Sequence, residues 1–226
     1  MTLASPYLAP GFYDKALEEG RHRDIVGGRW QETVEIQMRI LEAEGLRPHH
    51  RLLDIGCGCL RLGHEALRYL EPGHYWGTDA SAALMQRGWE AELTDEDRAR
   101  LPLSHLIEDS AFEFPSVPGD ITHAMAWGLF THLPESEMRP ALMSVRARFP
   151  DLQKLLLTVF LAPDGHEGSL RQPDGVVTHP DRPPWHRKAG AVEADALAAG
   201  FRPDWREWRL PRGQRLAVLI PSALSE

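Results

Sequence analysis

Short apolar runs alternate with stretches of helical periodicity along most of the chain. Apolar runs bounded by turn residues predict strands, whereas apolar residues three and four positions apart predict helices. The apolar runs predict strands at 51–55, 74–79, 103–107, 121–126 and 152–161. Helical spacing predicts helices at 29–44, 60–70, 81–93, 134–149 and 192–199.

The C-terminal part has a different pattern. Segments near 203–209 and 214–221 are strand-like and are joined by Pro211-Arg212-Gly213, which predicts an antiparallel hairpin. Strands that alternate with helices form a parallel sheet through right-handed crossovers. The sequence therefore predicts an α/β fold: a Rossmann-like, doubly wound, mostly parallel seven-stranded sheet with a C-terminal antiparallel hairpin.

The predicted elements also divide the chain. Residues 1–47 are expected to form an N-terminal helical or cap segment, and residues 48–226 the main domain. Residues 162–190 are rich in proline and glycine and too long for an ordinary connection in a compact domain. We interpret this stretch as a lid loop.

Composition narrows the range of partners. The formal net charge is −8, which discourages binding to nucleic acid or an anionic membrane. Cys57 and Cys59 are spaced poorly for a mutual disulfide or a structural zinc site, so no metal is expected and a reducing compartment is favoured. Without an apolar run of ~20 residues, the chain is predicted to be cytoplasmic and not a membrane protein. Whether it is a monomer or a homodimer stays open.

One segment carries most of the chemical information. Leu52-Leu53-Asp54-Ile55 runs into Gly56-Cys57-Gly58, where two glycines allow a tight turn and a close approach to a ligand. Asp79 ends the next predicted strand, where a carboxylate can accept hydrogen bonds from ribose hydroxyls. Together these features predict a nucleoside cofactor site.

This combination resembles the class I S-adenosylmethionine (SAM) dependent methyltransferases, whose glycine motif reads like Asp54-Ile55-Gly56-Cys57-Gly58 and whose second strand ends in an acid. The resemblance implies SAM as cofactor and S-adenosylhomocysteine as product. It also implies which residues contact the cofactor: Asp54, Gly56, Cys57, Gly58, Arg61, Asp79, Ala80, Asp109, Ser110, Trp127 and Arg23. Among these, Asp109 is expected near the adenine amino group, and Arg23 or Arg61 near the methionine carboxylate.

Candidate residues for catalysis and for binding the methyl acceptor lie in the loop after the fourth strand and in segments that can close over the site. His132 is the candidate catalytic base, because it follows that strand and an ordinary histidine pKa is about 6.5. The candidate acceptor-binding residues are His22, Phe130, His179 and His186.

The fourth-strand loop lacks an Asn-Pro-Pro-Tyr or Asp-Pro-Pro-Tyr run. By resemblance, that absence favours O- or N-methylation of a small molecule, such as a natural product or a sugar.

Two other functions stay open from the sequence. A nicotinamide-dependent oxidoreductase would need a third glycine at the position of Arg61, where a bulky side chain would meet the pyrophosphate. A SAM-binding protein without turnover would share the cofactor site, because a fold does not determine a function.

Overall fold

A computed structural model describes residues 12, 14–25 and 28–223, which form helices around a mixed sheet. The strands are β1 Leu52–Ile55, β2 Tyr75–Asp79, β3 Leu106–Glu108, β4 His123–Ala126, β5 Lys154–Leu161, β6 Leu170–Arg171, β7 Val177–Thr178, β8 His186–Arg187, β9 Phe201–Arg206 and β10 Arg215–Pro221. The helices are α1 Asp14–Glu18, α2 His22–Ile25, α3 Trp30–Ala43, α4 Gly63–Tyr69, α5 Ala82–Glu92, α6 Asp95–Arg100, α7 Met138–Arg148 and α8 Ala189–Ala198.

The main sheet has the strand order β3-β2-β1-β4-β5-β10-β9. The first five strands are parallel, and β10 runs antiparallel to both β5 and β9. The predicted doubly wound, mostly parallel sheet with a C-terminal antiparallel pair is therefore confirmed, and β8 adds an eighth strand to the seven in this order. Strand order reverses between β1 and β4, and ligands of such sheets bind at the carboxyl ends of the strands near that reversal.

The sheet is buried on both faces, as a parallel sheet requires. On one face Leu53 and Ile55 of β1 pack with the apolar sides of α7 and α8. On the other face Leu52 packs with α3, α4 and Met85 of α5. Each fully buried leucine contributes roughly 1.5–3 kcal/mol relative to exposure, so these two layers hold the strand ends in place.

Several element boundaries differ from the sequence prediction. The third strand begins at Leu106, because residues 103–105 form a short 3₁₀ turn after Pro102. Helix α7 begins at Met138, preceded by a 3₁₀ turn at Glu135–Glu137. Helix α6 was not predicted: its residues are mostly charged, without apolar periodicity, and a Thr94–Asp97 capping box supports it instead.

The segment predicted as a lid has secondary structure of its own. Strands β6 and β7 form a small hairpin, and β8 extends the main sheet by pairing with the end of β5, Phe160 opposite His186. The buried Gln172 donates to the carbonyl of Leu161 at 3.2 Å. Residues 162–190 therefore form a structured cover segment attached to the end of β5.

Helix α3 is joined to the sheet by a buried acid, Glu44. Glu44, directly after α3, accepts from Lys154 at 2.9 Å and from Arg206 at 2.6 Å. Burial alone would raise the pKa of Glu44, but these two cations outweigh it and lower that pKa. The rest of the predicted cap, residues 1–11, 13, 26 and 27, lies outside the described residues. None of the helices in the described ranges is long and apolar enough to cross a membrane.

Candidate functional site

The glycine turn follows β1 at the point where strand order reverses. Gly56 and Gly58 have φ values of 76° and 56°, in the left-handed region that favours glycine. The amides of Gly56 and Cys57 donate to the carbonyl of Thr78 at 2.8 and 3.0 Å, which folds the turn back onto β2. A Cβ at Gly56 would lie 3.1 Å from Leu129 Cδ1, so the turn also packs closely against the loop after β4.

Gly77 of β2 and Gly88 of α5 allow close packing against the cysteines of this turn. A Cβ at Gly88 of α5 would lie 2.4 Å from the carbonyl oxygen of Cys59, and one at Gly77 of β2 would lie 2.8 Å from Cys57 Sγ. Burial raises the pKa of the Cys59 thiol to about 12 and holds that of Cys57 well above its ordinary value. The two cysteines are therefore packed, neutral thiols under the turn.

Asp79 locks the end of β2 to the glycine turn. Its Oδ2 accepts from the amide of Gly58 at 2.9 Å, and its Oδ1 accepts from the amide of Ser81 at 3.0 Å. Burial raises its pKa, and these backbone hydrogen bonds act against that rise. A carboxylate has about four acceptor sites, so Asp79 retains capacity for a ligand hydroxyl.

Asp54 lies beneath the turn as a buried carboxyl group. Burial raises its pKa to about 7, opposed by the hydroxyl of Tyr75, which donates to Oδ2 at 2.9 Å, and by the charge of Arg61. At neutral pH this group is therefore divided between its protonated and charged forms, unlike an ordinary surface aspartate.

These elements open into a cavity of about 580 Å³. Pockets for small ligands in proteins have volumes of roughly 300–1,000 Å³. The structure brings many of the sequence-predicted site residues together in its wall: Asp54, Gly56, Cys57, Gly58, Arg61, Asp79, Ala80, Asp109, Ser110, Trp127 and His132.

Asp109 has a structural role beside any ligand contact. Its carboxylate accepts from the amides of Ala111, Glu113 and Phe114 at 3.0, 3.2 and 2.8 Å, and so organises the turn after β3. That turn places Phe112, with φ 58°, in the cavity wall. The sequence analysis missed Phe112 and expected Phe130, which is buried behind it in a stacked arrangement with ring centroids 6.4 Å apart.

Helix α3 contributes a polar stripe that the sequence analysis did not identify. Arg29, Thr33 and Gln37 are spaced four residues apart and line the cavity. Gln37 is 2% exposed; its Nε2 donates to Met125 Sδ at 3.8 Å, while its Oε1 has no partner among the residues the structure describes. Polar residues recurring on the buried side of a helix were the available signal for this wall.

His132 lies in the loop after β4, which Arg187 holds in place. Nη2 of the buried Arg187 approaches the carbonyls of Phe130, Leu133 and Pro134 at 3.4, 3.0 and 3.1 Å. Burial, and then the charge of Arg212, lower the pKa of His132 to about 4. The ordinary pKa assumed from sequence is therefore corrected: the imidazole is neutral at neutral pH and is a weaker base.

Four other predicted residues lie outside the described cavity lining, as does Phe130. Arg23 pairs with Glu92 at 2.8 and 2.6 Å, and His22 contacts the same carboxylate at 2.6 Å, so both anchor α2 to α5. His179 hydrogen bonds Ser169, and His186 hydrogen bonds Thr178, within the cover segment. No cluster of three or more potential metal ligands occurs within the described ranges.

Comparison with known proteins identifies solved structures that share this fold. No family model and no curated protein matches the chain. Among solved structures, magnesium protoporphyrin IX methyltransferase from Synechocystis PCC 6803 with bound SAM matches at a TM-score of 0.62 and 15% identity, over 93% of this chain and 94% of that chain. DesVI of Streptomyces venezuelae matches at 0.61 and 16%, over 90% and 98%. The glycopeptide N-methyltransferase MtfA with S-adenosylhomocysteine matches at 0.58 and 14%, over 82% and 86%.

The chain has the class I SAM-dependent methyltransferase fold. Within this methyltransferase fold, the glycine turn and Asp79 lie at the carboxyl ends of β1 and β2. The Trp127–His132 loop follows β4 across the reversal in strand order, and it faces the same cavity.

Proposed function

We propose that the protein is a SAM-dependent methyltransferase that transfers a methyl group to an oxygen or nitrogen of a small-molecule acceptor. The observation that carries this proposal is the Gly58–Asp79 contact in the wall of the cavity. It combines a glycine turn that lines the cavity with a carboxylate that retains capacity for hydroxyl groups, which suits a nucleoside and its attached chain.

The cavity wall offers partners for each part of an adenosyl ligand. Asp79, with Ala80 beside it, is suited to bind the ribose hydroxyls. Ser110 and the Asp109 turn lie at the end of β3, where the adenine would bind. SAM, when bound, supplies an electrophilic methyl group on a sulfonium centre.

The methionine end would lie near α3. Arg61 lines the cavity beside the glycine turn, and the unsatisfied Oε1 of Gln37 is suited to accept from an ammonium group. Arg61 fits the carboxylate better than Arg23, because Arg61 lines the cavity and Arg23 lies outside the described lining. Burial lowers the pKa of Arg61, yet an arginine stays charged at neutral pH.

The residues around the acceptor would align it and exclude water. The acceptor would form its new bond to the methyl group that SAM supplies, the sulfur would keep the electron pair of the carbon–sulfur bond, and His132 would receive the proton that the acceptor loses. Neutral His132 carries a ring-nitrogen lone pair that can receive a proton, as a base must. Trp127 gives the wall an aromatic face, which attracts a cationic sulfonium.

The structurally similar proteins include methyltransferases for a porphyrin and for a glycopeptide, and a "putative O-methyltransferase". They support a small-molecule acceptor and either oxygen or nitrogen as its nucleophile. Together with the negative net charge, they favour this over a nucleic-acid substrate.

Calorimetric titration with SAM and with S-adenosylhomocysteine tests the cofactor first. We expect micromolar binding, on the order of −8 kcal/mol, that Asp79→Asn weakens at least tenfold. Asp151→Asn, which alters an exposed acid away from the cavity, is the matched control. Binding of NADH in place of the adenosyl ligands would overturn the proposal and favour an oxidoreductase. Adenosyl binding without methyl transfer to any acceptor in a broad labelled-methyl screen would instead indicate a non-catalytic binder.

A further inference from the structure

The cavity has two chemically different halves. Asp54, Asp79 and Asp109 all lie at the ends of β1, β2 and β3, on the side proposed for the cofactor. The other half is formed by the loop after β4, the end of β5 and the turn before β10. In the described lining, that half contributes His132, Arg212 and Gln214 and no acid. Arg212 is therefore the positively charged residue that this half contributes to the described lining.

Gln214 is the first sign of a polar ligand in this half. Its side chain is 8% exposed and lies over the turn after β4, with Nε2 3.7 Å from where a Cβ of Gly128 would stand. Its Oε1 has no hydrogen-bond partner within the described part of the chain. A buried amide oxygen without a donor is unfavourable, so a ligand O–H or N–H group would satisfy it.

Arg212 is the second sign that this half binds a polar ligand. Its backbone is held at φ 64° and ψ 7°, a conformation that non-glycine residues rarely adopt outside constrained sites. Its amide donates to Asp174 at 2.8 Å, and the next residue, Gly213, packs so closely on Pro173 that a Cβ would lie 2.8 Å from Pro173 Cδ. The turn is therefore fixed before any ligand binds.

The charge of Arg212 acts inside the cavity. It contributes to lowering the pKa of both His132 and Arg61, which line the cavity on different elements. Asp174 accepts from the Arg212 amide and from Arg29, and lies outside the described lining. Phe160, Pro183 and Pro184 add apolar side chains to the cavity wall.

We infer that the methyl acceptor is a ring-containing carboxylic acid, whose carboxylate pairs with the guanidinium of Arg212 and whose hydroxyl or amino group donates to Oε1 of Gln214. A guanidinium binds a carboxylate through two parallel hydrogen bonds, which orient as well as attract it. The apolar wall accommodates the ring, and neutral His132 lies in the same half to receive the acceptor proton. This inference rests on the proposed function.

The test measures binding of matched acids and amides to the protein saturated with S-adenosylhomocysteine. The probes are 4-hydroxybenzoate against 4-hydroxybenzamide, 4-hydroxyphenylacetate against 4-hydroxyphenylacetamide, and indole-3-acetate against indole-3-acetamide. We expect the acid of at least one pair to bind tenfold or more tightly than its amide. Arg212→Gln should remove that preference and Arg212→Lys should retain part of it, while Arg202→Gln, an exposed arginine of β9, should leave it unchanged.

Gln214→Met tests the second contact with nearly constant volume. Wild type should prefer 4-hydroxyphenylacetate to phenylacetate, and the variant should bind the two equally.

Equal binding of acids and amides, binding of neither, or a preference that survives in Arg212→Gln would each overturn the inference. A loss of S-adenosylhomocysteine affinity in Arg212→Gln would assign Arg212 to the cofactor instead. If wild type fails to bind S-adenosylhomocysteine in the first titration, the proposed function fails, which separates the two outcomes.

Discussion

The guanidinium of Arg29 donates to Oδ2 of Asp174 at 2.8 Å, and the same oxygen accepts from the amide of Arg212 at 2.8 Å. One exposed carboxylate therefore joins the residue preceding α3, the tip of the β6–β7 hairpin and the turn before β10. Arg29 and Arg212 both line the cavity. Asp174 thus connects three walls that are distant in sequence.

Replacing Asp174 should loosen this junction without unfolding the protein. In Asp174→Ala we expect faster amide hydrogen exchange at 173–175 and 211–213, together with a rise in the acceptor KM of roughly 3–10-fold, since loops assemble the acceptor wall. The melting temperature should change little, because exposed ion pairs contribute little to stability. Asp181→Ala, an exposed acid in the same cover, is the control. Unchanged exchange at both turns would argue against the junction.

Helix α5 supports the glycine turn through a contact that only glycine permits. Gly88→Ala would place a Cβ 2.4 Å from the backbone oxygen of Cys59, so either α5 or the turn must move. We expect a loss of about 1–3 kcal/mol in the free energy of unfolding and weaker SAM binding. Gly190→Ala in α8 meets nothing within 4 Å and should be stabilising by about 0.5–1 kcal/mol. Urea unfolding of both variants gives the comparison, and equal effects of the two changes would contradict it.

Arg187 supports the loop that carries His132. Arg187→Met would leave the carbonyls of Phe130, Leu133 and Pro134 without this donor, and buried unsatisfied groups cost about 1–3 kcal/mol each. We expect a loss of a few kcal/mol in unfolding free energy and a fall in kcat larger than any change in SAM affinity. Arg171→Met, an exposed arginine of β6, controls for the loss of charge. A variant with wild-type kcat would show that His132 does not depend on this support.

The sequence predicted the cofactor half of the cavity better than the acceptor half. Asp79 and the glycine turn follow from local patterns, because a strand end and a turn are both encoded within a few residues. Gln214 and Arg212 reach the cavity only because β10 pairs antiparallel with β5, with Arg215 opposite Val159. That pairing joins segments far apart in sequence, and no local periodicity specifies its register.

The roles of residues in the N-terminal segment and in the turn after β3 were also difficult to predict from local sequence. His22 and Arg23 had the residue types expected at a ligand, but their partner, Glu92, lies 70 and 69 residues away on α5. Phe112 reaches the cavity through a positive φ that the Asp109 carboxylate stabilises, which residue type alone does not reveal. Tertiary contacts determine which of several plausible side chains faces the cavity.

The lowered pKa of His132 predicts a particular dependence on pH. Folding reduces this pKa from its ordinary value of about 6.5 to about 4, chiefly through burial. The unfolded chain therefore binds a proton at a higher pH than the folded protein, so the stability contributed by neutral His132 is complete above about pH 6.5 and is lost as the pH falls towards 4.

Urea unfolding of wild type and His132→Gln at pH 7.5 and 5.0 isolates this contribution from those of the other histidines. Relative to the variant, wild type should lose about 1–2 kcal/mol between the two pH values. If His132 also takes the acceptor proton, the acidic limb of kcat/KM should lie near pH 4–5 instead of near 6.5. A difference between the two proteins that is independent of pH would mean that His132 keeps an ordinary pKa. A limb near 6.5 in wild type that persists in the variant would assign the proton transfer to another group.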